Sequence, residues 1–177
     1  MSGHSRWQQI RHKKGLTDQK RGQIFSKLTK LVTVAAKDGA DPETNPKLKT
    51  AIGKAKEFNL PNENIERAIK RASGKDKIGL EVLLIEAIGP LNISVLVEAI
   101  TDNKNRSIAE IKHVFSENNF KMVPSGSLLW QFERKGREFI PKMPIQIDSE
   151  TKTKLKAFFE KLDEHDDVEE IYSNAAL

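Results

Sequence analysis

The apolar residues of this chain change their spacing once, and that change limits the folds open to it. As far as residue 72 they recur at the three- and four-residue intervals of helices that bury one stripe, and from residue 80 onward they alternate as in half-buried strands. The junction, Ser73-Gly74-Lys75-Asp76-Lys77, is small and polar and reads as a linker. A chain of 177 residues, 37% hydrophobic and 31% charged, builds one ordinary domain or two small ones. The expected division is residues 1–77 and residues 78–177.

Before the linker the spacing predicts an extended arm and then three helices. Residues 1–15 show no apolar period and carry Arg6, Arg11, Lys13 and Lys14. A helix is expected from Thr17 or Asp18 to about Asp38, with Gly39 as its stop. On it Ile24, Leu28, Leu31 and Ala35 share a face flanked by Phe25 and Val32, while Lys20, Lys27, Lys30 and Lys37 share another. Pro46 suits the first turn of a second helix that buries Leu48, Ala51, Ile52 and Ala55. Asn62 is the expected cap of a third, with Ile65, Ala68, Ile69 and Ala72 inward and Arg67, Lys70 and Arg71 outward.

After the linker, residues 82–88 and the alternating Ile93, Val95, Val97 and Ala99 read as a hairpin across Gly89-Pro90. Asp102 is expected to cap a helix bearing Ile108, Ile111 and Phe115. Leu128, Trp130 and Phe132 read as a further strand and residues 145–147 as a short extended piece. A last helix carries Leu155, Phe158, Phe159 and Leu162 and leads to a strand at residues 168–172. The fold class expected is α+β: a three-helix domain with a basic arm, then a ferredoxin-like α/β lobe with a mostly antiparallel sheet.

Charge separates the two parts. Residues 1–77 hold 18 Lys and Arg against 8 Asp and Glu, and residues 78–177 hold 12 against 17, so the parts carry +10 and −5. An asymmetry of this size marks the first part as facing a polyanion, of which nucleic acid is the commonest. Arg6, Trp7, Arg11, His12, Lys13 and Lys14 set cations beside a large π-face, the combination that places phosphates on Lys and Arg and a base on the ring. Lys20, Arg21, Lys27 and Lys30 extend this track, and Arg67, Lys70 and Arg71 form a second cluster. Engagement of six phosphates gives a log–log salt slope of about −4 to −5. Asn103, Asn105 and Arg106, in a polar strand-to-helix junction, are a candidate contact loop.

Other chemistries are excluded or lack their residues. There are no cysteines, which removes disulfide scaffolds, thiolate metal sites and cysteine nucleophiles. No glycine-rich dinucleotide fingerprint occurs, and Gly74-Lys75 lacks the earlier glycine and following hydroxyl of a phosphate loop. His4 and His12 lie among cations that repel a metal ion, and the acidic run at residues 160–170 lacks the central glycine of a calcium loop. No apolar stretch approaches membrane-spanning length. The expectation is a cytoplasmic, non-enzymatic protein with no cofactor, no metal, no small-molecule substrate and no membrane partner.

At Gly3-His4-Ser5-Arg6-Trp7, Ile10-Arg11-His12-Lys13-Lys14, Lys20-Arg21 and Phe25-Ser26-Lys27-Leu28 the sequence resembles the YebC/PmpR family, which includes the mitochondrial translational activator of cytochrome c oxidase. Asp41-Pro42, Asn45-Pro46, the segment from Pro61 through Lys70, and Thr101-Asp102-Asn103-Lys104-Asn105-Arg106 extend the resemblance over most of the chain. Family members usually carry a further α/β lobe inserted after Phe132, where this chain has only residues 133–144, so it looks like a shortened form. The resemblance implies a regulator of gene expression. Some members are labelled DNA-binding transcriptional regulators, and others act in translation on the ribosome, including relief of stalling at proline-rich stretches. A cationic arm with Trp7 suits structured RNA better than duplex grooves, so ribosomal RNA is the favoured partner and duplex DNA the alternative. A protein-interaction module without nucleic acid is the reading of a different class.

Overall fold

The computed structural model describes residues 17–74, 79–136 and 138–177. Two compact units result: one runs as far as Val82 and includes Ile100–Asn103, and the other comprises Leu83–Ala99 and Lys104–Leu177.

In the first unit helix α1 (Asp18–Ala35) starts at Thr17, whose hydroxyl accepts a hydrogen bond from the Lys20 amide, and tightens into a 3-10 turn through Asp38. Helix α2 (Pro46–Glu57) has proline at its first position, where the missing N–H costs nothing. Asn45 joins the two. Its Oδ1 accepts from the Leu48 amide at 3.1 Å, and its Nδ2 donates to the carbonyls of Ala35 at 2.7 Å and Gly39 at 2.8 Å. Past α2, Asn59 takes a left-handed conformation at φ 59°. That bend lets the Leu60 amide reach the Ala55 carbonyl and the Asn59 amide the Lys56 carbonyl, each at 3.0 Å, and turns Leu60 into the core.

Helix α3 (Asn62–Ser73) follows directly after Pro61. Asn62 is therefore its first helical residue rather than the expected cap; the cap position is Pro61, which has no side-chain acceptor. α1 packs on both α2 and α3. The shared core is Ile24, Leu28, Val32, Leu48, Ala51, Ala55, Leu60, Ile65, Ala68 and Ala72, while Ile52 and Ile69 are half-buried at its margin.

The second unit is built from β1 (Glu81–Ile88), β2 (Ser94–Thr101), α4 (Lys104–Glu117), β3 (Lys121–Val123), β4 (Phe132–Lys135), β5 (Glu138–Pro141), α5 (Ser149–Asp163) and β6 (Val168–Ser173). Four strands form a sheet in the order β3-β1-β2-β6, with β1–β3 and β2–β6 antiparallel; β4 and β5 form a separate hairpin. Ile111 and Phe115 of α4 and Leu155, Phe158, Phe159 and Leu162 of α5 bury one sheet face with Ile85, Val95, Val97 and Ile171. The fold class is the α+β arrangement that the change of period predicts.

The opposite sheet face is also covered. Leu96 and Tyr172 pack under Leu128, Phe132 and Phe139, which explains why β2 and β6 are buried on both sides. Tyr172 lies edge-on to the Phe139 ring at 5.3 Å, and its hydroxyl donates to Glu98 Oε2 at 3.5 Å. Burial, and then the charges of Glu98, Glu170 and Glu138, hold its phenol well above the usual tyrosine range. A phenol whose folded value is raised stabilises the fold fully below the unfolded value of about 10 and progressively less above it. Tyr172 is the only tyrosine, so an alkaline ultraviolet titration reads it alone. The tyrosinate band should appear together with loss of helical circular dichroism, and Tyr172→Phe should flatten the alkaline fall in stability.

Two expected elements differ. Residues 128–132 are not one strand: Leu129–Gln131 form a 3-10 turn and β4 begins at Phe132. Leu128 and Phe132 are both buried while Trp130 between them is 64% exposed, so their spacing reflects one turn with two inward ends. The β4–β5 hairpin and the short β3 lie in charged or brief segments with no alternation to mark them. The expected piece at residues 145–147 is present as a parallel bridge from Ile145 to Ala175.

After α4, Asn119 repeats the left-handed exit at φ 61°, which turns Phe120 inward to stack on Phe158 with centroids 4.4 Å apart. Gly89 lies against that Phe120 ring, and a Cβ there would overlap it. Gly89→Ala is expected to cost about 1–3 kcal/mol through overpacking. In a double-mutant cycle with Phe120→Leu, measured by urea unfolding, the two losses should be less than additive.

Candidate nucleic-acid interface

The geometry of α3 follows from its period. Ile65, Ala68 and Ala72 turn inward, which sends Arg67, Lys70 and Arg71, spaced by three and four residues, to one exposed face. Arg67 and Arg71 form no ion pair among the described residues. Near the start of the same helix Glu63 and Glu66 are exposed as well. On α1, Lys20 and Arg21 are exposed, with Arg21 3.8 Å from Asp18 in a solvated pair of little energetic weight. Lys30 is half-buried.

Lys27 is a correction. Expected on the cationic face, it is 1% exposed, because position 27 lies three residues from Ile24 and four from Leu31 and so falls on the apolar stripe. An ammonium in that position cannot meet a phosphate in solution. The arm residues Arg6, Trp7, Arg11, His12, Lys13 and Lys14 lie outside the described residues.

The residues of the candidate contact loop, Asn103, Asn105 and Arg106, are all exposed, and two of them also have partners within the chain. Asn103 donates its amide to the Thr101 hydroxyl at 2.9 Å, Asn105 is exposed within α4, and Arg106 belongs to the first turn of that helix. The Arg106 guanidinium lies 3.0 Å from the Asp167 carboxylate, which also accepts from Ser107 Oγ at 2.7 Å and is 3% exposed. Arg106 therefore anchors α4 to the segment before β6, a structural use of its charge.

Other charged residues are not separable by sequence reasoning. Lys47 donates to Asp38 at 2.7 Å, and that hydrogen bond and charge hold the Asp38 carboxyl below the usual range. Lys49 faces Glu43 at 3.3 Å. These two cations of α2 thus stand against carboxylates. Glu86, on β1, is 1% exposed, and its carboxylate accepts the Gly126 and Leu128 amides, the latter at 2.7 Å. Its position in an alternating strand gives no hint of that loop-holding role. Among the described residues no group of three or more His, Asp or Glu is placed to hold a metal ion, and no helix is long and apolar enough to cross a membrane.

These units define an α+β protein whose basic three-helix part precedes a lobe with a four-stranded sheet covered on both faces. The model of the TACO1/YebC protein N-terminal domain matches residues 5–75, and that of the TACO1/YebC second and third domain matches residues 80–138 and 137–175. The chain belongs to the TACO1/YebC family. It is 44% identical over 173 residues to a "Probable transcriptional regulatory protein" of Desulfosudis oleivorans, covering 97% of this chain and 70% of that one. It is 51% identical over 138 residues to the "Probable transcriptional regulatory protein TTE1135" of Caldanaerobacter subterraneus subsp. tengcongensis, covering 77% and 57%. The crystal structure of a conserved hypothetical protein, Aq1575 from Aquifex aeolicus, superposes with a TM-score of 0.84 at 31% identity, covering 97% of each chain. The two pieces of the second match meet at residues 137–138, where β4 gives way to β5. The place at which the resemblance predicts an inserted lobe is thus a hairpin of residues 132–141.

Proposed function

We propose that this chain is a non-catalytic regulator of gene expression that binds RNA, with the ribosome as its working partner. The observation that carries the reading is the exposed Arg67, Lys70 and Arg71 face of α3, set in a part of the chain with a net charge of +10. Three cations on one helical face offer a surface to a phosphate backbone, and Lys20, Arg21 and the arm residues add cations to the same part of the chain. The names of the relatives, probable transcriptional regulatory proteins, support regulation of gene expression as the general role. They also favour a second reading, in which the partner is duplex DNA.

The charge pattern of α3 argues for RNA between the two. A recognition helix enters the major groove by its N-terminal turns, and here those turns present Glu63 and Glu66. Carboxylates there meet the phosphate walls unfavourably, while the cations at the far end suit a backbone that passes across the helix. Cosedimentation decides the matter. The protein should travel with ribosomes at moderate salt, and Arg67→Glu with Arg71→Glu should release it. A protein that stays off ribosomes yet selects one duplex sequence from a random pool belongs to the DNA reading.

A further inference from the structure

Among the described residues Trp130 is the one Phe, Tyr or Trp ring that is exposed, at 64%. Its setting is rigid. On its N-terminal side Leu128 is buried and its amide is held by the buried Glu86 carboxylate. On its C-terminal side Phe132 is buried, and Gln131 accepts from Ser94 Oγ at 3.0 Å and from Asn174 Nδ2 at 3.1 Å. With both flanks tied to the sheet, the short turn between them has no freedom to carry the indole inward. The fold holds a large π-face in water, which costs free energy unless something covers it.

The surroundings indicate what covers it. The Lys142 amide donates to the Gln131 carbonyl at 2.9 Å, one rung beyond the β4–β5 ladder, so exposed Lys142 and Met143 stand at the open end of the hairpin beside Trp130. Asn174 Nδ2 also donates to the Asn92 carbonyl at 3.3 Å, which brings the exposed Leu91, held at φ 59°, to the same end of the unit. A leucine in that conformation is strained by about 1 kcal/mol. Charge selects the partner. Residues 121–143 hold five Lys and Arg against two Asp and Glu, whereas the rest of residues 78–177 holds seven against fifteen. The exposed indole therefore stands in a cationic stretch of an acidic lobe.

We propose that Trp130 is a stacking platform for a base of single-stranded nucleic acid, with Lys142 beside it for the adjoining phosphate and Leu91 and Met143 as its apolar rim. The inference extends the RNA reading to the second unit and rests on it. Bases stack on any accessible indole face with little regard to sequence, so the platform accepts a strand and does not select one.

The chain has two tryptophans, so a Trp7→Phe background leaves Trp130 as the only indole emitter. A fluorescein-labelled single-stranded oligoadenylate is the probe, with anisotropy reporting binding and tryptophan emission reporting stacking. Saturable quenching of Trp130 in step with anisotropy is expected; Trp130→Ala should weaken binding roughly 5- to 100-fold, and Trp130→Phe should retain most of it. Anisotropy that rises without any change in Trp130 emission overturns the platform and leaves the RNA reading standing. No rise in anisotropy at low salt, in the background or in the unsubstituted chain, overturns both. Loss of ribosome cosedimentation in Trp130→Ala without oligonucleotide quenching hands the surface to a protein partner and overturns base stacking.

Discussion

Asn45→Asp is expected to destabilise the helical unit by about 3–5 kcal/mol, more than Asn45→Ala does, although aspartate caps helices as well as asparagine. The side chain of Asn45 is 5% exposed and works at both ends. Its oxygen caps α2 through the Leu48 amide, a task either residue performs. Its nitrogen donates to the Ala35 and Gly39 carbonyls, and there a carboxylate oxygen would face two acceptors without a proton. Alanine loses the cap and leaves two carbonyls short of a donor, a cost of about 2–4 kcal/mol. The aspartate loss should shrink as pH falls and be smallest below about pH 4, the unfolded carboxyl's value, because burial raises the folded value and the protonated acid regains a donor. Thermal unfolding by circular dichroism across pH measures both variants. An Asp variant as stable as wild type at neutral pH would mean that the Asn45-Pro46 signature serves a partner and not the fold.

The same residue shows what a sequence can and cannot disclose. That Asn45 precedes Pro46 and caps a helix is local chemistry, readable from spacing alone. That its amide reaches back ten residues to Ala35 depends on where α1 stops. Thr17, the period of α1 to α3, the β1–β2 hairpin and α5 are legible for the first reason: each is specified by residues within one or two turns of itself. Trp130 reads as a strand residue because two buried residues four apart mimic alternation, and only the packing of Leu128 and Phe132 on Leu96 and Tyr172 distinguishes a turn from a strand. The cationic site is legible as charge but not as surface. Lys27 counts toward the net charge yet lies in the core, Lys47 and Lys49 face carboxylates, and Arg106 holds Asp167. Net charge is a sum over the sequence, whereas an interface depends on which charges remain exposed after packing.

That distinction yields the last prediction. Arg67→Gln, Lys70→Gln and Arg71→Gln together should lower the affinity for single-stranded RNA roughly 50-fold at about 0.15 M salt, at about fourfold for each phosphate no longer gripped, and should flatten the log–log salt slope by about 2. Lys47→Gln with Lys49→Gln removes two formal charges against three, but each of those ammonium groups already has a carboxylate within 3.3 Å. Their loss should change affinity by less than about threefold, since few counterions are released where the local field is offset. Filter binding across a salt series measures both sets. If every lysine and arginine mattered equally, the effect would follow the number of charges removed, and the pair would lose about 16-fold, not less than threefold. If the α3 face is the contact, the slope changes with that set alone. Arm variants at Arg11, Lys13 and Lys14 should then add to the α3 set, because groups that grip separate phosphates of one strand contribute independently.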